Sequence, residues 1–298
     1  MSMQKVRVGF IGLGIMGGPM AGHILGAGYP LSVYNRTASR VEELASRGAR
    51  VRASPAEVAA EAEVVITMVS DSPDVEEVIA GSDGVVKAIR PDSVIVDMST
   101  ISPEVERVLS KLLQTKHCHL VDAPVSGGDV GARNASLAIM AGGEREIFER
   151  VRPLLEVMGQ PNYCGSVGCG QLTKLCNQIL VGMTLLGVSE ALAYAQKNDL
   201  DPRVMVKATQ GGAAGSWQLS HLASKIIDRD FAPGFMVDLM DKDLRLVLES
   251  AETTGVPLPG TSLVARLFKK VQEEGRGREG TQALAKVLEA MAGLTPDP

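Results

Sequence analysis

The 298-residue chain is long enough for two domains, is 45% hydrophobic and 22% charged, and carries a formal net charge of −5. That balance describes a globular chain, and an acidic excess without a basic run argues against nucleic acid or an anionic membrane as partner. Four cysteines, Cys118, Cys164, Cys169 and Cys176, show no CxxC or paired spacing, so reduced thiols in the cytoplasm are expected rather than a disulfide frame or a metal site.

The opening M-S-M-Q-K passes straight into an apolar run, and no signal peptide is expected. Val6, Val8, Phe10 and Ile11 suit a buried strand. The chain then breaks into Gly12-x-Gly14-x-x-Gly17 and continues as a helix-compatible stretch to Ala27. In that pattern the loop Gly12, Leu13, Gly14, Ile15, Met16 grips a dinucleotide pyrophosphate. The first glycine allows the turn, the second lets phosphate approach the backbone, and Gly17 lets the helix pack on the strand.

A second strand, 31–34, ends about twenty residues past the glycines, where such a domain presents its ribose-reading side chain. Here the residues are Asn35, Arg36 and Thr37. An acidic residue would favour the 2′-hydroxyl of NAD. Neutral Asn35 beside cationic Arg36 leaves room and charge for a 2′-phosphate, so NADP is the expected cofactor, with NAD as the lesser alternative. Arg40 stands one turn further on.

Further strands are expected at 64–69, 93–97, 118–121, 136–141 and 161–164, alternating with helices, which predicts a parallel doubly wound sheet. Ser54-Pro55, Ser72-Pro73 and Ser102-Pro103, each followed by an early glutamate, read as helix starts. Met68, Val69 and Ser70 follow one strand and Thr100 another, at the carboxyl edge where ligands bind in open sheets. All four are therefore cofactor candidates, and Thr100 is the candidate near the nicotinamide.

Asp122-Ala-Pro-Val-Ser126-Gly127-Gly128 combines a stiffened turn with a hydroxyl and bare backbone N–H groups. It reads either as a tight turn or as a nest for a substrate carboxylate held by Ser126, Gly127 and Gly128, with Asp122 capping local backbone. His117 and His119 have no convergent ligands nearby, and no metal is expected.

After Gly165 the pattern becomes helical throughout, with helices expected at 171–197, 202–210, 216–228, 236–253, 260–273 and 279–291 and a loose tail over 292–298. The boundary between a dinucleotide-binding domain (1–165) and an all-helical domain (166–298) is set there. Leu175–Ala195 is apolar, yet Asn177, Gln178, Ser189 and Glu190 make it a core helix rather than a membrane span. Lys174, Asn177 and Gln178 fall at i, i+3 and i+4, on one face directed into an interdomain cleft. An apolar setting there would disfavour the lysine's charge and suit it to proton exchange. Trp217 is placed either in a substrate-pocket wall or in the core. The apolar long helix suggests a homodimer or homotetramer.

G-F-I-G-L-G-x-M-G-x-P-M at the start, D-A-P-V-S-G-G in the middle, G-x-x-x-K-L-C-N at the long helix and Lys242-Asp243 in F-M-V-D-L-M-D-K-D resemble the β-hydroxyacid dehydrogenase family over nearly the whole chain. The N-Q pair at 177–178, with 211–216, 228–235 and 255–259, looks most like its 2-hydroxy-3-oxopropionate reductase branch. The resemblance implies a Rossmann domain joined by a long helix to an all-α domain. It implies NADP-linked reduction of a small aldehyde acid, Lys174 as general acid/base, carboxylate binding by Ser126, Gly127 and Gly128, and substrate orientation by Asn177 or Gln178. It places Lys242 and Thr100 against the cofactor. The alternative activity is that of a 3-hydroxyisobutyrate or 4-hydroxybutyrate dehydrogenase, or a succinic semialdehyde and glyoxylate reductase, and the alternative of another class is a nucleotide-binding reader without chemistry.

Overall fold

The computed structural model describes residues 5–294, so the first few residues and the expected tail beyond 294 lie outside them. The chain divides at Lys174/Leu175 into two compact units.

The first unit is built on a nine-stranded sheet: β1 (Val8–Ile11), β2 (Leu31–Tyr34), β3 (Arg50–Val51), β4 (Val64–Thr67), β5 (Val94–Asp97), β6 (His119–Asp122), β7 (Val125–Ser126), β8 (Leu137–Gly142) and β9 (Gly159–Gly165). Strands β1 to β6 run parallel in the order β3-β2-β1-β4-β5-β6, reversing direction of progression between β1 and β4. That reversal opens a crevice beyond the carboxyl ends of β1 and β4.

The central strands β1, β4 and β5 are four-residue, mainly apolar runs because both faces are covered. Phe10, Ile66 and Val96 pack one way with Met20 and Ile24 of α1 (Gly17–Gly26). Ile11, Val65 and Ile95 pack the other way with α3 (Pro55–Glu61), α4 (Ser72–Ala80) and α5 (Pro103–Gln114). The short α2 (Glu42–Ser46), α6 (Gly128–Arg133) and α7 (Arg145–Leu155) complete the first face.

Two features differ from the expectation of a wholly parallel sheet. β8 runs antiparallel to β6 and to β7, and only β9 beside it restores a parallel pair. The two-residue strands β3 and β7 were also not anticipated, since two residues carry no periodicity. Ser54 and Ser102 cap α3 and α5 through their hydroxyls, but Asp71, not Ser72, caps α4. Ser72 Oγ instead accepts from the Ser102 N–H.

The long α8 (Cys169–Lys197) leads from the first unit into the second, where α9 (Pro202–Thr209), α10 (Trp217–His221), α11 (Ala223–Ile227), α12 (Val237–Thr254), α13 (Pro259–Glu273) and α14 (Leu284–Met291) follow. Leu185, Met240, Leu244, Val264 and Phe268 centre its core. The helix expected over 216–228 is broken at Leu222. The one expected over 279–291 begins as a 3₁₀ turn at Thr281–Ala283.

Candidate functional site

The glycine loop closes directly over the crevice. Gly12 sits at φ +96°, and a Cβ there would lie 2.2 Å from the Met68 carbonyl oxygen. A Cβ on Gly17 would lie 1.9 Å from the Gly12 carbonyl oxygen. Both positions are therefore closed to any side chain by backbone. Gly14 is different, because nothing lies within 4 Å of where its Cβ would be. The loop is thus packed from below and bare above. This arrangement fits a pyrophosphate lying against the loop at the start of α1, with the helix N–H groups facing it.

Asn35 ties the loop to the end of β2. Its Oδ1 accepts from the Leu13 N–H at 2.8 Å, and its Nδ2 donates to the Thr37 carbonyl at 2.9 Å. Arg36 is 89% exposed in its side chain and pairs loosely with Asp74 at 3.7 Å. Leu13 is buried, whereas Gly14, Ile15, Arg36, Thr37 and Ser70 are exposed, and Met16, Met68, Val69 and Thr100 are half-buried.

Beneath the ends of β5 and β6 stand three buried carboxylates, of which sequence reasoning singled out only Asp122. Asp97 Oδ1 accepts from Thr67 Oγ1 (2.6 Å), Ser99 Oγ (2.7 Å) and the Ser99 N–H (3.2 Å), while Ser99 Oγ itself receives the Val69 N–H. Asp122 accepts the N–H groups of Gly168 and Gln171 through its two oxygens, both at 2.8 Å, and so caps the start of α8. Burial pushes its pKa up to about 7 against the pull of those N–H groups. Glu106 is wholly buried, and desolvation with the charges of Asp97 and Asp122 raises its pKa well above the usual carboxylate range. Glu106 was legible in principle: with Leu109 and Leu113 it falls at i, i+3 and i+7 on the apolar face of α5.

The segment after β6 brings Ser126 to the end of β7, with Gly127 at φ +133° and Gly128 at φ +61°. Both φ values lie in the region that glycine, lacking a Cβ, adopts without strain. Among the described residues, Ser126 Oγ makes no side-chain hydrogen bond. Lys174, the last residue of the first unit, is buried at 6% exposure, three residues after Gln171 on α8.

In the second unit, Asn177 Nδ2 donates to Gln178 Oε1 (2.8 Å), and Gln178 Nε2 donates to Asp243 Oδ2 (2.6 Å). Lys242 Nζ stands 2.7 Å from Asp243 Oδ1. The structure therefore joins two pairs, Asn177-Gln178 and Lys242-Asp243, that sequence reasoning did not connect, with Gln178 buried and Asn177 half-buried. Trp217 is 57% exposed and stacks on His221 with ring centroids 4.5 Å apart, so it belongs to no core.

Residues 7–170 match the profile of the NAD-binding domain of 6-phosphogluconate dehydrogenase. Residues 168–288 match that described as the NAD-binding part of NADP-dependent 3-hydroxyisobutyrate dehydrogenase. The chain is 43% identical to an uncharacterized oxidoreductase of Bacillus subtilis (strain 168), over 95% of this chain and 99% of that one. It is 40% identical to the 2-hydroxy-3-oxopropionate reductase of Escherichia coli (strain K12), over 96% and 98%. Among solved structures, Mycobacterium tuberculosis 3-hydroxyisobutyrate dehydrogenase with L-serine superposes with a TM-score of 0.87 at 32% identity, covering 95% of this chain and 99% of that one.

Proposed function

The chain belongs to the β-hydroxyacid dehydrogenase family and is an NAD(P)-dependent oxidoreductase, and from that premise we propose that it is an NADP-preferring reductase of a small aldehyde acid, of the 2-hydroxy-3-oxopropionate reductase type. The observation that carries the reading is Lys174: a lysine at 6% exposure, in the second turn of a helix whose start is fixed by Asp122, is a poor surface residue and a good proton donor.

Gly12, Leu13, Gly14, Ile15 and Met16 would hold the pyrophosphate, with Asn35, Arg36 and Thr37 at the ribose end. Met68, Val69, Ser70, Thr100 and Lys242 are further cofactor contacts in this reading. When bound, the nicotinamide supplies hydride to a carbonyl carbon or takes it back from a carbinol. The chain's own part is orientation and proton transfer. Ser126 Oγ and the N–H groups of Gly127 and Gly128 hold the substrate carboxylate, which fixes the carbonyl in place. Lys174 Nζ stabilises the negative charge growing on the carbonyl oxygen and gives it a proton, and oxidation reverses both roles. Asn177 is the amide we assign to the substrate, because Gln178 is committed to Asp243, and Trp217 is a further substrate contact.

NADP preference is supported by the absence of a carboxylate at Asn35 and by the exposed guanidinium of Arg36. A homo-oligomer is supported by Leu180, Met183 and Tyr194, which are exposed along α8. A reducing compartment is supported by four free cysteines. The test is a panel of tartronate semialdehyde, succinic semialdehyde, methylmalonate semialdehyde and glyoxylate with NADPH and NADH. The expected result is highest kcat/KM for tartronate semialdehyde with NADPH. Equal efficiency on all four, or with both cofactors, would overturn the narrow assignment.

A further inference from the structure

The carboxyl groups of Asp97 and Glu106 each leave one buried oxygen without a donor. Asp97 Oδ1 collects three donors, and Glu106 Oε1 accepts from Gln171 Nε2 at 2.8 Å. The remaining oxygens, Asp97 Oδ2 and Glu106 Oε2, are both buried and receive no donor. Asp97 is also among the groups whose nearness raises the pKa of Glu106, so the two carboxyl groups are neighbours. Two neighbouring carboxyl groups, each with a buried oxygen that lacks a donor, can both be satisfied by one proton shared between them.

We propose that Glu106 is held as the neutral acid, donating from Oε2 to Asp97 Oδ2, and that this pair acts through Gln171 as a positioning device for the first turns of α8 and the loop after β5. Gln171 is the connecting piece. It accepts the Ile101 N–H at 3.2 Å, donates to the Ser99 carbonyl at 2.9 Å and to Glu106 at 2.8 Å, and lies one helical turn before Lys174. A neutral Glu106 accepts from Gln171 while its proton offsets the crowding of negative charge. The groups that act on it are Asp97 at the end of β5, Asp122 at the end of β6 and the neutral amide of Gln171 on α8. With Glu106 ionised, three carboxylates would be charged together out of reach of bulk solvent, and the repulsion would fall on the contacts that seat α8.

The significance for catalysis rests on the reading of Lys174 given above, whereas the protonation state does not. Glu106→Gln places a permanently neutral group that keeps an acceptor for Gln171 and a donor for Asp97. At pH 8.5, where Asp122 is ionised, wild type should show the infrared carbonyl band of a buried protonated carboxyl group, and Glu106→Gln should lack it. The variant should melt at or above the wild-type temperature at that pH, with kcat within about threefold.

Glu106→Leu, which cannot bond Gln171, should lose kcat at least tenfold more than it raises either KM. Absence of the band in wild type, a lower melting temperature or failure to fold in Glu106→Gln, or equal kcat loss in the two variants would each overturn the proposal. If Lys174→Ala kept full turnover, the role assigned to Lys174 would fail while the infrared and melting results still decided the state of Glu106.

Discussion

Gln178 Nε2 donates to Asp243 Oδ2 at 2.6 Å, and that bond separates the duties of two adjacent amides. Gln178 is buried and committed, whereas Asn177 keeps its Oδ1 uncommitted among the described side-chain hydrogen bonds. Gln178→Leu takes a donor from the buried carboxylate of Asp243, which keeps its ion pair with Lys242, and should cost about 1–3 kcal/mol of stability. Asn177→Ala should melt within about 0.5 kcal/mol of wild type and raise substrate KM tenfold or more. Calorimetry and initial rates check both, and the reverse pattern would transfer the substrate role to Gln178.

Lys174→Ala should lower kcat by about 10²–10⁴, the usual worth of a positioned acid/base. The dissociation constant of NADPH should move less than threefold. Lys174→Arg should not restore turnover, because a guanidinium does not release its proton near neutral pH. Single-turnover rates alongside cofactor titration make the measurement, and near-normal turnover in Lys174→Ala would remove the residue from the chemistry.

The glycine loop gives two opposite outcomes for similar substitutions. Gly14→Val enters open space and should leave the melting temperature of the cofactor-free protein unchanged while weakening NADPH binding more than tenfold. Gly17→Ala meets the Gly12 carbonyl and should destabilise the fold itself. Thermal melts with and without NADPH separate the cases, and unchanged NADPH affinity in Gly14→Val would place the pyrophosphate elsewhere.

Arg36→Ala should lower kcat/KM for NADPH by at least tenfold, corresponding to about 1.4 kcal/mol or more from a charge-assisted contact, with NADH little affected. Asn35→Asp keeps an acceptor for the Leu13 N–H and should move preference towards NADH. Parallel kinetics with the two cofactors test this, and an unaltered NADPH to NADH ratio would assign the preference to other residues.

Asp122 imposes a pH dependence of definite sign. Its folded pKa of about 7 lies above the ordinary 3.8, so between these values the folded chain holds a proton that the unfolded chain has released. Its contribution therefore makes stability fall as pH rises from about 4 to about 7 and then level off. Relative to Asp122→Asn, wild type should lose stability across that window in chemical denaturation. A difference that stays constant from pH 4 to 8 would show that Asp122 does not retain its proton on folding.

Much of this was open to reading because the relevant signals are local. Val8–Ile11 followed by the glycine spacing declares a strand, a turn and a helix within twenty residues. Lys174 and Asn177 share a helix whose apolar flanks announce burial. The antiparallel run of β8 was not legible, since Leu137–Gly142 is an apolar run in either direction and its orientation follows from pairing with β6 and β7. Two of the three buried acids escaped for a related reason. Asp97 ends a strand and Glu106 sits among helix formers, and only the fold brings them together with Gln171.

The way the sheet stops also has a consequence for the life of the protein in a crowded solution. Its first edge is β3, two exposed residues, Arg50 and Val51, flanked by Arg52 in a close ion pair with Glu61. So short a row of unpaired amides, guarded by cations, offers little template for a strand from another chain. The same brevity that hides β3 from pattern reading protects the molecule against edge-to-edge aggregation.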